Sequence, residues 1–546
     1  MADLSSSQYE TLIPDQEESL DDHGLAQRIK TVVSFLSDKR HAPYILSAVI
    51  LFSILLSIEV ARTRRPWCDE AWFASPAYNL DHHGVMGMTV LDPHGFVFAP
   101  YVEGIGRFTY WVMPGYLLLQ AAWYKLVGLS LFSMRAISIF WSAVALWSWF
   151  IAVRWLTSDA RIALLAAFLL GTEQHFVLSA ATGRMDMMCA ALGLLSLTLY
   201  ILLRQRFALA LFVAACVSAI NLFTHPNAIF GMLALAFVVL VFDREHVSLP
   251  ALLLAICPFL LLGTLWGLYV ARAPQLLVAQ LQAQAKIPHR LEIPWNPWKG
   301  FGQEMLERYG SAYGLTTRFP ASLGRIIVAL YAAAIGTALV IPQLRKQRAT
   351  MILLILTGAS FALLMCLQKN WYYLIFIIPY YTAIVAIISG WLWHRSANFR
   401  FVVASLLGLV TVLHLGIVGA RIVHNDYRSR YLAATNYLKR NTKPNDLIMG
   451  SGELAFELGF DGQVLDDSRL GFLSGKRPKF IVVESLYGNF WFPWYSVHEP
   501  ATHRHIVDLF THQYELVYDQ TGDRYPTYGF SDRPYQILKR RAVPLQ

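Results

Sequence analysis

Stretches of apolar residues long enough to cross a bilayer recur along this chain, and no other feature restricts its fold so much. A hydrocarbon layer about 30 Å thick takes about 20 apolar residues per helical crossing. Inside it, only a helix or a closed barrel satisfies the backbone hydrogen bonds. Candidate spans cover residues 44–61, 133–153, 162–181, 187–203, 207–224, 226–242, 249–271, 323–341, 351–367, 371–393 and 401–420. Only 15% of the 546 residues are charged, against about 25% in an average soluble domain. The expected fold class is a polytopic α-helical membrane protein.

One segment, 109–131 (TYWVMPGYLLLQAAWYKLVGLSL), is apolar enough to cross but carries Pro114, Gly115, Gln120 and Lys125. Counting it as a span would flip every later loop, so the positive-inside rule decides. If it does not cross, Arg154, Arg161, Arg204, Arg206, Arg244, Arg345, Lys346, Arg348, Arg395 and Arg400 all face the cytoplasm. The expectation is therefore eleven crossings, with 109–131 as an interfacial or re-entrant helix. Arg62, Arg64 and Arg65 and the basic loop 272–322 run against the rule.

This topology divides the chain into a cytoplasmic disordered tail (1–42), a membrane domain (43–420) with outer loops 62–132 and 272–322, and an extracytoplasmic α/β domain (421–546). In the last part, 431–441 and 503–517 read as helices, and 479–484 and 535–540 as strands. The five cysteines, Cys68, Cys189, Cys216, Cys257 and Cys366, are scattered and imply neither a disulfide framework nor a metal cluster. The net charge of +9 is accounted for by basic residues between spans, which leaves no nucleic-acid surface to explain.

Polar groups collect on the outer face. The adjacent carboxylates Asp69 and Glu70, in WCDEAWFASPAYNL, follow the first span. Arg184 and Asp186 (GRMD) end the third, His225 (THPN) sits between the fifth and sixth, and Lys369 (QKN) between the ninth and tenth. Glu173 and His175 fall nearer the same face, as a rise of 1.5 Å per residue from 162 requires. Taken singly, each has a bland explanation: an interfacial ion pair, a helix cap at Pro226, a snorkelling lysine, a structural Glu–His pair, or carboxylates favouring a helix N-terminus. Together they suggest one extracytoplasmic cavity. Sugar transfer from a lipid phosphate suits such a cavity: a carboxylate takes the acceptor's proton and cations stabilise the departing phosphate. Arg62, Arg64, Arg65, Lys286, His289 and Arg290 would then meet a phosphate headgroup.

These motifs resemble the GT-C superfamily of polyprenyl-phosphate-sugar-dependent membrane glycosyltransferases, in the branch of the lipid A aminoarabinose transferases and protein O-mannosyltransferases. The likeness covers roughly residues 69–379. It rests on DEAWFA after the first span, an interfacial helix resembling YWVMPGYLLLQAAWYKLVG ahead of Arg135, GRMD, THPN, and KNWYYLIFIIP with Lys369 and Tyr372. The resemblance implies inverting transfer, with Asp69 as the acceptor-activating base, Glu70 beside it and Asp186 in support. Glu103, in EGIGRFTYW, lacks the lysine and proline that follow the family's glutamate, so Arg107 is the candidate for the missing cation. Arg184, His225, Lys369, Arg107, His289, Arg290 and Tyr372 are the candidate donor-binding residues. No DxD triplet follows Asp69, which disfavours an obligatory divalent metal, and no cofactor is expected.

The expected partners are a polyprenyl-phosphate-sugar donor, a glycan, lipid or protein acceptor, and membrane lipids. The expected location is the cytoplasmic membrane, with the site outside. A transporter or flippase of a lipid-linked or anionic solute is the alternative, since an ionisable cavity serves that too. The lack of a clear internal repeat speaks against it. A receptor displaying the C-terminal domain would leave the polar span ends unexplained.

Overall fold

The computed structural model describes residues 41–288, 290–315, 321–520 and 535–542. Every expected span is helical. Eight helices are long and apolar enough to cross on their own: Ala42–Thr63, Leu131–Thr157, Met185–Leu203, Phe207–Thr224, Pro226–His246, Leu249–Val270, Arg348–Met365 and the helix that begins at Ala397. The third span is broken. Ala160–Thr172 and Gln174–Ala180 meet at 65°, because Glu173 leaves the helix and its carboxylate caps the second half by accepting the Phe176 N–H at 2.8 Å.

The remaining two, Gly324–Val340 and Ile378–Trp393, are shorter apolar helices. The second is preceded by a 3-10 turn over Trp371–Phe376, so the expected span 371–393 starts with a tighter coil. The doubtful segment 109–131 forms only the 14-residue helix Pro114–Val127, closed by Gly128 at φ 81°. That is about 21 Å of helix, too short for a bilayer. The polytopic helical architecture is thus as expected, with Pro114–Val127 lying outside the bundle's spans.

The acidic stretch is itself a helix, Cys68–His83, packed on Pro114–Val127. Beyond the last span, helix Leu432–Asn441 leads into a five-stranded sheet of order β2-β1-β3-β5-β4. The strands are β1 (Ile448–Met449), β2 (Val464–Leu465), β3 (Phe480–Val483), β4 (Tyr514–Asp519) and β5 (Gln536–Arg540). β2, β1 and β3 run parallel, and β5 is antiparallel to both β3 and β4.

One expectation fails here. Residues 503–517 are not one helix: the coil widens into a π turn over Leu509–Gln513 and ends there, and Tyr514–Asp519 joins the sheet as β4. The residues YELVY suit a pleated edge, and the partner that claims them is β5, later in the chain.

The sheet unit is clamped to the first long loop. Asp466 N–H donates to the Val90 carbonyl at 2.7 Å and Asp92 N–H to the Asp466 carbonyl at 3.0 Å. Arg469, fully buried, donates to the carbonyls of His94, Phe96, Val97 and Ala99 and pairs with Glu499 at 2.7 Å. These contacts hold the sheet unit at the same end of the bundle as the acidic helix.

Candidate active site

The adjacent carboxylates part company at once. Glu70 is wholly buried and accepts four hydrogen bonds: from Arg135 Nε and Gly183 N–H on Oε1, at 2.8 and 2.7 Å, and from Arg135 Nη2 and Trp67 N–H on Oε2, at 2.8 and 2.9 Å. Arg135 spends its other donors on the carbonyls of Ala61, Arg64 and Arg65. The pair therefore staples the end of the first span to the start of the second. Burial alone would raise the Glu70 pKa, but the Arg135 guanidinium outweighs it and holds the carboxyl below the usual range.

Asp69 points the other way and keeps 21% of its side chain exposed. Its Oδ2 is paired with Arg184 Nη1, while its Oδ1 meets only the Cys68 thiol at 3.6 Å, a weak donor. Burial raises its pKa against the opposing pull of Arg184, so it is a stronger base than an ordinary aspartate.

Arg184 is the hub. Its Nε donates to Asp186 Oδ2 at 2.8 Å, and its guanidinium lies 3.9 Å from the Tyr372 ring centre, 5.1 Å from Trp67 and 5.5 Å from Phe73. Three aromatic faces and two carboxylates thus fix one cation, and its Nη2 has no hydrogen-bond partner among the described residues. Asp186 Oδ1 is buried and likewise lacks a partner.

His225 and Tyr373 stand beside this hub, with ring centres 6.2 Å apart. His225 Nδ1 accepts the Asn227 N–H at 2.9 Å, so its ring proton sits on Nε2. Burial lowers its pKa to about 4 and keeps it neutral. The helix-cap reading is therefore correct for one ring nitrogen, and the expectation of a cation is not: His225 is a hydrogen-bond donor. Arg290 approaches from the second long loop, close enough to couple electrostatically to Asp69, Tyr372 and Tyr373.

Other expected members stand apart. Lys369 pairs with Glu304 at 3.1 Å and donates to the Met365 carbonyl at 2.6 Å. Glu304 also pairs with Arg308, which caps the ninth span by donating to the carbonyls of Leu364 and Leu367. Glu173 and His175 do not face the hub either. They grip the second long loop, Glu173 Oε1 accepting from Tyr313 Oη at 3.1 Å and His175 Nε2 lying 2.9 Å from the Ala312 carbonyl.

Glu103 and Arg107 are exposed on a turn, with Glu103 lining an open hollow beside Tyr101, Gln282 and Lys286. No contact joins either to Asp69. Arg62 pairs with Glu59, Arg64 donates to Thr182 Oγ1, and Arg65 donates to Ser485 Oγ. Arg64 and Arg65 thus join separate elements, while Arg62 stays exposed in its pair with Glu59. His289 and residues 1–40 lie outside the described residues.

Sequence reasoning missed Trp67, Phe73 and Tyr373 as walls of the site. Their aromatic stretches were visible, but not that Trp67 and Phe73 would close with Tyr372 on one guanidinium. Among the described residues, no group of three or more His, Cys, Asp or Glu side chains converges as a metal site. Asp69 and Asp186 are joined through Arg184 instead.

Below the hub a crevice runs into the bundle. Cys189, Gly193 and Leu197, on the face of the fourth span that carries Asp186, meet Gly231 and Ala234 of the sixth span and Phe376 after Tyr373. The fourth and sixth spans touch at glycines: a Cβ on Gly231 would come within 2.5 Å of Gly193 Cα.

No family model matches the chain, and no curated protein matches it by sequence. Solved structures do. ArnT from Cupriavidus metallidurans bound to undecaprenyl phosphate superposes with a TM-score of 0.54 at 14% identity, covering 92% of this chain and 99% of that one. The Archaeoglobus fulgidus oligosaccharyltransferase tethered with an acceptor peptide gives 0.55 at 14% identity, covering 91% and 75%. AglB from the same organism, in complex with an inhibitory peptide and a dolichol-phosphate, gives 0.50 at 14% identity, covering 89% and 74%. The chain shares its overall fold with ArnT and the archaeal oligosaccharyltransferase.

Proposed function

We propose that this chain is a membrane glycosyltransferase that moves a sugar from a polyprenyl-phosphate carrier to a hydroxyl or amide acceptor outside the cytoplasmic membrane. The observation that carries the reading is the division of labour between neighbours: Glu70 has no acceptor capacity left, while Asp69 Oδ1 is open, basic and beside a fixed arginine. A general base needs just such a free lone pair within reach of the acceptor's proton.

In this reaction the acceptor oxygen or nitrogen attacks the anomeric carbon and its proton passes to Asp69. The bond from that carbon to the phosphate oxygen breaks, and the electron pair leaves with polyprenyl phosphate. Attack opposite the leaving group inverts the anomeric centre. Arg184 Nη2, His225 Nε2–H and Arg290 supply donors for the phosphate oxygens, where negative charge grows in the transition state. Asp186 Oδ1, buried and unpartnered, accepts from a sugar hydroxyl. Supporting the reading are the fold's likeness to ArnT, solved with undecaprenyl phosphate, and AglB, solved with dolichol-phosphate.

Basic span ends opposite the site, such as Arg204 and Arg348, support an extracytoplasmic site and sheet unit by the positive-inside rule. The experiment is to incubate the purified chain with radiolabelled polyprenyl-phosphate sugar and a lipid extract of its native envelope. Label should move to a new product in the wild type and stay on the carrier in Asp69→Asn. A chain that binds the carrier and never moves its sugar would refute the reading.

A further inference from the structure

The second long loop holds up a set of large apolar side chains that nothing among the described residues covers. Trp295 is 94% exposed, Trp298 85%, Leu291 75% and Ile293 64%. Soluble surfaces rarely display so much contiguous apolar area without a partner. Nor is this a floppy segment. Pro294 and Pro297 fix two backbone angles, Asn296 Oδ1 accepts the N–H groups of Trp298 and Lys299, and Gly300 packs on Pro294. The tryptophans are thus held out by a built turn.

That turn has a definite height in the bundle. Leu291 forms an antiparallel bridge with Leu367, Glu292 N–H donates to the Cys366 carbonyl at 2.9 Å, and the Phe301 ring lies 5.8 Å from Phe361. Phe361 is four residues, about 6 Å, before the end of the ninth span at Met365. The tryptophans therefore stand level with the mouth of that span, where the exposed apolar stripe Met351, Ile355, Ala359 and Ala362 ends.

We propose that residues 291–301 form a hook that inserts Trp295 and Trp298 into the boundary between headgroups and acyl chains of the leaflet on the site's side. Indole rings favour that layer because an apolar body and one N–H donor are both satisfied there. The occupant is the bilayer itself, since the patch continues a lipid-facing helix surface and sits at the depth where such a surface ends. One consequence concerns the site. Gln368 N–H donates to the Arg290 carbonyl, so the strand that ends in the hook also carries Arg290 and braces the Lys369 turn. The hook ties this wall of the site to the membrane surface, whatever reaction the site performs.

The test uses the full chain in lipid nanodiscs and compares the wild type with the double variant Trp295→Ser, Trp298→Ser; both positions are exposed, so the variant keeps the fold. The difference in emission between the two isolates these two of the 16 tryptophans. It should be quenched by phospholipids brominated near the glycerol end of the acyl chains, and much less by those brominated near the terminal methyl. A difference emission that is red-shifted and identical in brominated and plain lipid puts the rings in water and overturns the proposal. Loss of a dimer on substitution, without lipid quenching, assigns the patch to a second copy of the chain and overturns it equally.

Discussion

Two carboxylates side by side, Asp69 and Glu70, have opposite fates because of groups that lie far away in the chain. Glu70 is saturated by Arg135, 65 residues on, and Gly183, 113 residues on, whereas Asp69 meets one thiol and one arginine. From sequence, the adjacent pair just after the first span was legible, and Asp69 as the base was what the family resemblance implied. That Glu70 would be a structural anchor was not, since its partners come from two other elements. Glu70→Gln breaks a buried ion pair, and the cost is about 3–5 kcal/mol; a thermal melt in detergent should drop by several degrees. Asp69→Asn should leave that melt nearly unchanged and cut transfer by about 10²- to 10⁴-fold, as loss of a general base does. Wild-type rate against pH should have its acid limb above about 4, the ordinary aspartate value, because the folded Asp69 pKa is raised. Arg184→Lys keeps the charge but loses the planar stack on Tyr372 and the fork that joins Asp69 to Asp186. The measured result should be weaker binding of polyprenyl phosphate together with a lower turnover.

At the level of elements, apolar length located every span, since hydrocarbon thickness is a local demand that 20 consecutive residues answer by themselves. What the apolar runs did not reveal were breaks and partners. The 65° bend at Glu173 depends on a carboxylate capping its own chain, and on Tyr313 from a loop 140 residues later. Lys369 looked like a free cation because its partner Glu304 lies on that same loop. Glycine spacing also carried a message that a hydropathy reading passes over. Gly193 and Gly231 let the fourth and sixth spans approach until no side chain fits between them, as small residues do in membrane helix pairs. Gly231→Val would push Cβ into Gly193 Cα at 2.5 Å, and backbone cannot yield as a flexible side chain does. Overpacking of this kind costs about 1–3 kcal/mol. The fourth and sixth spans should be pushed apart below Asp186, which shifts Asp186 and Arg184, so Gly231→Val is expected to weaken carrier-lipid affinity in a direct binding assay before it unfolds the protein.

Across the whole molecule, the sheet unit and the membrane domain share an apolar core, with Phe73 and Leu117 in one cluster with Leu454 and Phe480, and buried acids are set into that seam. Asp466 accepts from Trp72 Nε1, Gly452 N–H and Tyr487 Oη at 2.7–2.9 Å, and Glu453 is hydrogen-bonded by Tyr535 Oη, with Arg65 and Glu484 nearby. Burial raises Glu453 to about 8, against Arg65 and with the help of Glu484, and raises Asp466 to about 6. Nothing in the local sequence showed this, because each acid is surrounded by groups from both halves of the chain. The consequence is a pH dependence of definite sign. An unfolded glutamate loses its proton near 4.5, and folded Glu453 only near 8. Between those values the folded state holds a proton that the unfolded state has released, so stability is greatest below the lower value and is lost as pH rises through the upper one. The full chain in detergent should therefore melt at a progressively lower temperature between about pH 5 and pH 8. Glu453→Gln, which keeps the hydrogen bond to Tyr535 without the titration, should flatten that slope and raise the melting temperature at pH 8 most of all. An unchanged slope in Glu453→Gln would mean that Asp466 or another group, not Glu453, carries the proton, and the double variant with Asp466→Asn would then decide between them.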